Sequence, residues 1–127
     1  MLMQKNKKRP VYLNLFQIRL PVGGVASILH RATGAVLVLL LPFALYLLQR
    51  SLQEPAAFAD IARRLMTFEG RVVLLGIVWM FAQHFFSGVR HLLMDIGIGD
   101  DTAAARRSAW LTFVASGIVV VLTGVCL

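Results

Sequence analysis

Three long stretches of this chain contain no Asp, Glu, Lys or Arg, and they limit what the chain can fold into. They are residues 32–49, 72–89 and 108–127, which hold 18, 18 and 20 residues. As helices, each would be roughly 27–30 Å long, about the thickness of the hydrocarbon core of a bilayer. Three segments are too few to close a β-barrel, so only helices can satisfy the hydrogen bonds of the backbone N–H and C=O groups in lipid. The sequence therefore predicts an all-α membrane protein with three transmembrane helices.

The composition supports one small membrane domain. The chain has 127 residues, of which 58% are hydrophobic, and a soluble domain of this size could not bury so many. The net charge of +7 comes from basic residues that flank the apolar stretches. That placement is typical of membrane topology rather than of nucleic-acid binding. We expect a single domain over residues 1–127, with a tail at 1–21 and spans at about 25–50, 70–96 and 104–127.

The basic residues also bear on orientation. Six Lys or Arg precede the first apolar stretch, four lie in the first loop and three in the second. The loops alone weakly favour the opposite topology, but the first helix usually dominates. Pro10 follows the basic tail where a signal peptide would have its apolar core, so we expect the tail to stay uncleaved. The sequence predicts a cytoplasmic N-terminus and a C-terminus outside.

Several features have structural explanations. We expect the first helix to begin near Val22 and to be kinked at Pro42, and the second to end near Ile96 before a Gly-rich break. Asp101 or Thr102 should cap the third helix. A short amphipathic helix should follow Glu54-Pro55 along the membrane surface. Gly117 and Gly124 predict a helix-packing face. Cys126, the single cysteine, excludes an internal disulfide and a Cys-based metal cluster.

One face of the second helix carries the residues that could bind a cofactor or take part in a reaction. Met80, His84, Gly88, His91 and Asp95 follow one another at intervals of four, four, three and four residues. His84 is the only ionisable group well inside the span, and such groups are functional candidates. A neutral imidazole is a good ligand of haem iron, and Gly88 leaves room for a flat ring. The alternative is a histidine that only hydrogen-bonds a neighbouring helix. Asp95 is better explained as a solvated carboxylate at the helix end.

Depth limits which histidines can share one iron. His84 and His91 are seven residues apart, or about 10.5 Å along the axis of one helix. His30, in the first turns of helix one, should lie nearer the level of His91. It would then be a poor second ligand to an iron on His84. A bis-histidine haem would take its other histidine from another chain, which predicts a partner.

On the first helix, Ser27, His30, Arg31 and Gly34 share a face. A haem on His84 would direct its propionates to this inner surface, where His30, Arg31 and His91 could meet them. Arg31 is permanently charged and needs an anion or a lipid headgroup. Ser27 could donate to a quinone carbonyl, or it could simply allow close helix packing.

Two segments resemble the signatures of a known family. After Arg9-Pro10, residues 27–34 (SILHRATG) resemble the S-x-L-H-R-x-[ST]-G motif of succinate dehydrogenase cytochrome b556 subunits. Residues 84–95 (HFFSGVRHLLMD) resemble the second motif of that family, H-x-x-x-G-x-R-H-L-x-x-D. The motifs occur in the right order and on the right helices. The loop at residues 51–71 and the third helix resemble those of the family only in their general type, without a matching sequence motif.

The resemblance implies a membrane anchor of bacterial succinate:quinone oxidoreductase, in the inner membrane, within a heterodimeric haem-binding helix bundle. His84 would bind haem b, with the opposite ligand from a second anchor subunit. Ser27 and Arg31 would form part of the ubiquinone pocket, and His30 and Arg31 would lie by the haem propionates. Iron–sulfur and flavoprotein subunits would oxidise succinate, which this chain cannot do alone.

Three other functions stay open on the sequence. One is an anchor without a cofactor that only docks soluble subunits. Another is the anchor of a fumarate reductase, since one subunit does not reveal the direction of electron flow. A third is a small transport or channel subunit, which should carry polar residues through the full membrane depth; here the polar groups are expected at one side only.

Overall fold

The computed structural model describes residues 20–127, and nearly all of them are helical. The elements are α1 (Val22–Gln53), α2 (Pro55–Leu65), α3 (Phe68–Asp95) and α4 (Thr102–Cys126). α1, α3 and α4 are each long and apolar enough to cross a membrane, and no strand occurs between residues 20 and 127. The predicted fold class is confirmed. The basic tail and Arg9-Pro10 lie outside the described residues, and the limits of the three spans within the bilayer stay a prediction.

The helix ends follow from local chemistry. α1 begins directly after Pro21, as expected. The connection from α3 to α4 contains Gly97 and Gly99, whose φ values of 79° and 71° are in the left-handed region that favours glycine. Asp101 then caps α4, because its carboxylate accepts two backbone N–H hydrogen bonds of 3.0 Å from the first turn. The predicted break and cap are both present.

α2 is the short helix expected after Pro55, and it is strongly amphipathic. On its polar side, Asp60 accepts hydrogen bonds from Arg63 at 2.6 Å and Arg64 at 2.8 Å. These two guanidinium groups hold the pKa of Asp60 below its usual value. All three side chains are well exposed to solvent, so the pairs stabilise the fold little. Its position on the membrane surface stays a prediction.

The interior of the three-span bundle is small and polar. α1, α3 and α4 all contact one another, and the buried apolar residues of the described region are all alanines: Ala26, Ala82 and Ala109. Large apolar side chains, by contrast, are exposed along all three spans. Small residues let helix backbones approach closely, which is the main source of packing energy in lipid. The chain is therefore built for an apolar solvent outside and close contact inside.

A buried hydrogen-bond network joins α3 to α4. Gln83 donates from Nε2 to Ser87 Oγ at 3.0 Å and accepts at Oε1 from Ser116 Oγ at 2.8 Å. Thr112 Oγ1 lies 3.5 Å from the same Nε2. All four side chains are buried, and Gln83 is next in the chain to His84. Amide and hydroxyl groups therefore also bond within the bundle, and the expectation that polar groups gather at one side of the membrane stays a prediction. The four buried groups are paired with one another rather than lining an open path.

Of the two glycines predicted to form a packing face on α4, one packs against another helix within residues 20–127. A Cβ on Gly124 would contact Leu75 of α3 at 3.8 Å, so this glycine does pack against a neighbouring helix. Gly117 has nothing from residues 20–127 within 4 Å of its Cβ position. The packed face of α4 within these residues contains Ala109, Thr112 and Ser116, which have small side chains and, in two cases, a hydroxyl group.

Candidate functional site

His84 is turned from α3 towards α1. Its Nδ1 lies 3.0 Å from the backbone carbonyl oxygen of His30 and 3.5 Å from the hydroxyl of Thr33. That hydroxyl already donates to main-chain oxygens of α1, the nearest at 2.7 Å. A carbonyl can only accept, so Nδ1 must carry the proton. In the tautomer that carries only this proton, the lone pair is on Nε2, which has no hydrogen-bond partner among residues 20–127.

The close approach of His84 to α1 requires a glycine. A Cβ at Gly34 would lie 2.7 Å from Cε1 and 3.1 Å from Nδ1 of the imidazole, closer than real Cβ contacts allow. Thr33, next to it, is buried. The pair of Thr33 and Gly34 therefore gives His84 one polar contact and the space in which to make it.

His30 and His84 are stacked. Their ring centroids are 4.2 Å apart with an interplanar angle of 8°, whereas the His30 and His91 rings are 5.2 Å apart and tilted. The expectation that His30 lies nearer the level of His91 is wrong, because the two antiparallel helices cross so that His30 comes between the two α3 histidines. Gly88 has the predicted role of making room for a ring, but the ring is that of His30, whose Nε2 is 3.3 Å from the Cβ position.

An apolar cleft of about 550 Å³ extends from His84 between α1 and α3. Leucine, valine, isoleucine and phenylalanine side chains form most of its walls, and Gly34 and His84 are at one end. A concave apolar site with one polar group is the usual form of a cofactor or ligand site. The groups here fit a haem better than a free metal ion. His84 offers one axial nitrogen beside an apolar slot, and residues 20–127 contain no cluster of three metal-ligating side chains.

Ser27 and Arg31 lie together on α1, about two turns and one turn, respectively, from this end of the cleft. The guanidinium of Arg31 is 3.4 Å from the hydroxyl of Ser27, and Arg31 is exposed. Both are donors towards the same region, which suits a ligand carbonyl or an anion. Asp95 is exposed and forms no ion pair within residues 20–127, in agreement with a solvated carboxylate at the end of α3.

Some residues with structural roles around His84 were not singled out from the sequence. They are Thr33 and Gln83, together with Arg90, whose buried guanidinium connects α3 to α4. The sequence does indicate that Gln83 has a structural role, because an amide at membrane depth needs a hydrogen-bond partner. The sequence does not indicate which helix supplies the partner, because spacing along one helix gives a face but not the neighbour of that face.

Comparison with known proteins gives concordant matches. The succinate dehydrogenase/fumarate reductase transmembrane subunit family matches residues 5–123. The chain is 38% identical over 124 residues to a succinate dehydrogenase cytochrome b556 subunit of Coxiella burnetii, covering 94% of this chain and 97% of that one. It is 31% identical to the protein of the same name from Paracoccus denitrificans, over 91% and 88% of the two chains. A cytochrome b560 subunit of Reclinomonas americana is 32% identical over 97 residues, covering 72% of this chain and 67% of that one.

Proposed function

The chain belongs to the succinate dehydrogenase/fumarate reductase transmembrane subunit family, and on this basis we propose that it binds haem b with a second anchor subunit and helps to form the site where ubiquinone is reduced. It is a multi-pass membrane subunit of an oxidoreductase complex. Iron–sulfur and flavoprotein subunits would deliver electrons from succinate. The complex would lie in the bacterial inner membrane, with the N-terminus of this chain in the cytoplasm.

The hydrogen bond at Nδ1 of His84 is the observation that carries the haem proposal. A histidine that ligates a metal usually donates its other ring N–H to a carbonyl or carboxylate, which fixes the tautomer and the ring orientation. His84 has this arrangement, with the carbonyl of His30 as its acceptor at 3.0 Å. The hydrogen bond to a neighbouring helix, considered above as an alternative to ligation, therefore leaves Nε2 available as a ligand.

The second haem ligand would come from another chain. The rings of His30 and His84 are stacked face to face, an arrangement in which the two side chains would not hold one iron together. His91 is seven residues from His84 on the same helix. The chain has three histidines in total, so no fourth is available. Haem b, when bound, would supply a one-electron carrier whose potential depends on ligation and burial.

Ser27 and Arg31 would hold the quinone. Their donors are close together, exposed, and on the same helix as the carbonyl that orients His84. A guanidinium and a hydroxyl directed at a quinone carbonyl would fix the ring and stabilise the negative charge that grows on oxygen during reduction. The direction of flux in the cell, towards quinone or towards fumarate, is a property of the whole complex.

The proposal is tested by the visible absorption spectrum of the four-subunit complex, purified in detergent, first oxidised and then reduced with succinate. A b-type spectrum that appears on reduction supports a haem-bearing anchor. A complex that assembles and oxidises succinate but shows no Soret absorbance would contradict the proposal, because its anchor would then contain no haem.

We expect Arg31→Gln to lower quinone reduction by the complex by about 10–100-fold, because removal of one stabilising donor in a reaction site commonly costs this much or more. Succinate oxidation with an artificial soluble acceptor should be kept, since it does not need the quinone. Arg50→Gln, at the other end of α1, is the matched control. Equal quinone turnover in the two variants would contradict the role of Arg31.

A further inference from the structure

A second cleft, of about 300 Å³, lies between α3 and α4. Its walls are apolar: Phe86, Val89 and Leu93 come from α3, and Leu111 and Ala115 from α4. It begins at the connecting loop, where Gly99 contributes to its lining. Along α4 it extends over the twelve residues from 104 to 115, or about 16 Å. Its shape suits an apolar chain that enters from the end of the bundle.

Arg90 is one of the residues that line this cleft. The residue is 7% exposed, its Nε donates to Ser108 Oγ at 3.0 Å, and one of its terminal nitrogens donates to the carbonyl of Ala105 at 3.2 Å. Both acceptors are neutral. The two ion pairs found in residues 20–127 involve Asp60, far along the chain. A guanidinium is permanently charged and has five N–H donors. A buried cation with only neutral partners calls for an anion.

The cleft and His84 lie on opposite faces of α3. At about 100° per residue, Phe86, Val89 and Leu93 are turned by roughly 140–200° from His84. If the second anchor subunit covers the His84 face, which rests on the proposed function, the α3–α4 cleft is left to the bilayer. Membrane lipid is then the available occupant, and a lipid phosphate is the anion that a guanidinium recognises best.

We propose that the α3–α4 cleft binds one acidic phospholipid, with its phosphate on Arg90 and an acyl chain between Leu93 and Ala115. Exposed Arg106 and Arg107, in the first turns of α4, favour a negatively charged headgroup over a zwitterionic one. The carboxylate of Asp101, at the start of α4, is engaged by the N–H groups that it caps.

The test uses the delipidated four-subunit complex and added phosphatidylglycerol, whose affinity is read from the rise in melting temperature. Ala115→Leu fills the deep end of the cleft without changing Arg90, and Ala35→Leu is the same substitution on an exposed position of α1 outside the cleft. We expect affinity to fall about tenfold or more in Ala115→Leu and in Arg90→Gln, and to be unchanged in Ala35→Leu. If Arg90→Gln does not assemble, Ala115→Leu still decides the question.

Three outcomes would overturn the proposal. One is equal affinity for phosphatidylglycerol in Ala115→Leu and Ala35→Leu. Another is equal stabilisation by phosphatidylcholine, which would remove the role of the negative headgroup. The third is equal stabilisation by inorganic phosphate, which would make the site one for a free anion. The haem spectrum of the same samples is a separate readout, so failure of the lipid site leaves the proposed function untouched.

Discussion

The complex that carries His84→Leu should lose the spectrum of a bis-histidine b-type haem. Leucine keeps an apolar side chain in the cleft but has no nitrogen to bind iron. Removal of an outer partner of a metal ligand commonly costs about 10–100-fold in affinity, and removal of the ligand itself should cost at least as much. The measurement is the reduced-minus-oxidised spectrum together with haem content per mole of complex.

Two further variants sharpen this test. His30 lies 4.2 Å from His84, so its imidazole is the nearest replacement for a missing ligand. Any haem that remains in His84→Leu should therefore disappear when His30→Leu is added. His91→Leu removes a histidine from the same helix without removing the proposed ligand, and should keep the b-type spectrum. An unchanged b-type spectrum in the double variant would defeat the assignment of His84.

Gly34→Ala should also weaken haem binding strongly, although residue 34 has no side chain to offer a ligand. The added Cβ would lie 2.7 Å from Cε1 of His84, so the imidazole must move away from α1 and its hydrogen bond to the His30 carbonyl must lengthen. Because this bond orients the ligand, we expect haem affinity to fall by about 10–100-fold. The measurement is haem retained by the purified complex during titration with a competing apoprotein.

Gly76→Ala is the matched control, since nothing from residues 20–127 lies within 4 Å of its Cβ position. Both substitutions place alanine in a helix interior, where alanine is favoured over glycine by about 1 kcal/mol. The difference between the variants therefore reports the contact with His84 rather than helix propensity. Equal haem retention in both would show that the imidazole does not depend on the space at Gly34.

Helix-level features could be predicted because they depend on neighbours in the chain. The uncharged stretches set three spans, and the residues around Gly97 and Asp101 set the break and the cap between two of them. The shared face of Ser27 and Arg31 follows from helical periodicity, and their side chains do meet. In each case the physical cause lies within a few residues of its effect.

Contacts between helices could not be predicted in the same way. The crossing of α1 and α3 decides that His30 stacks on His84, and no spacing within either helix contains that crossing. The pairing of Gln83 with Ser116 depends equally on the register of α3 against α4. A polar residue in an apolar span indicates that a partner exists, but only the packed bundle identifies it.

Three alanines form the whole apolar interior of the described chain, and this has a consequence for how the protein can change over evolution. Each of these positions, Ala26, Ala82 and Ala109, holds only a methyl group, so a bulkier residue there would force the helices apart. Where the outer surface meets acyl chains, it accepts almost any apolar side chain at little cost. Adaptation to a thicker or colder membrane should therefore alter the outside of the bundle and leave the inner seams as they are.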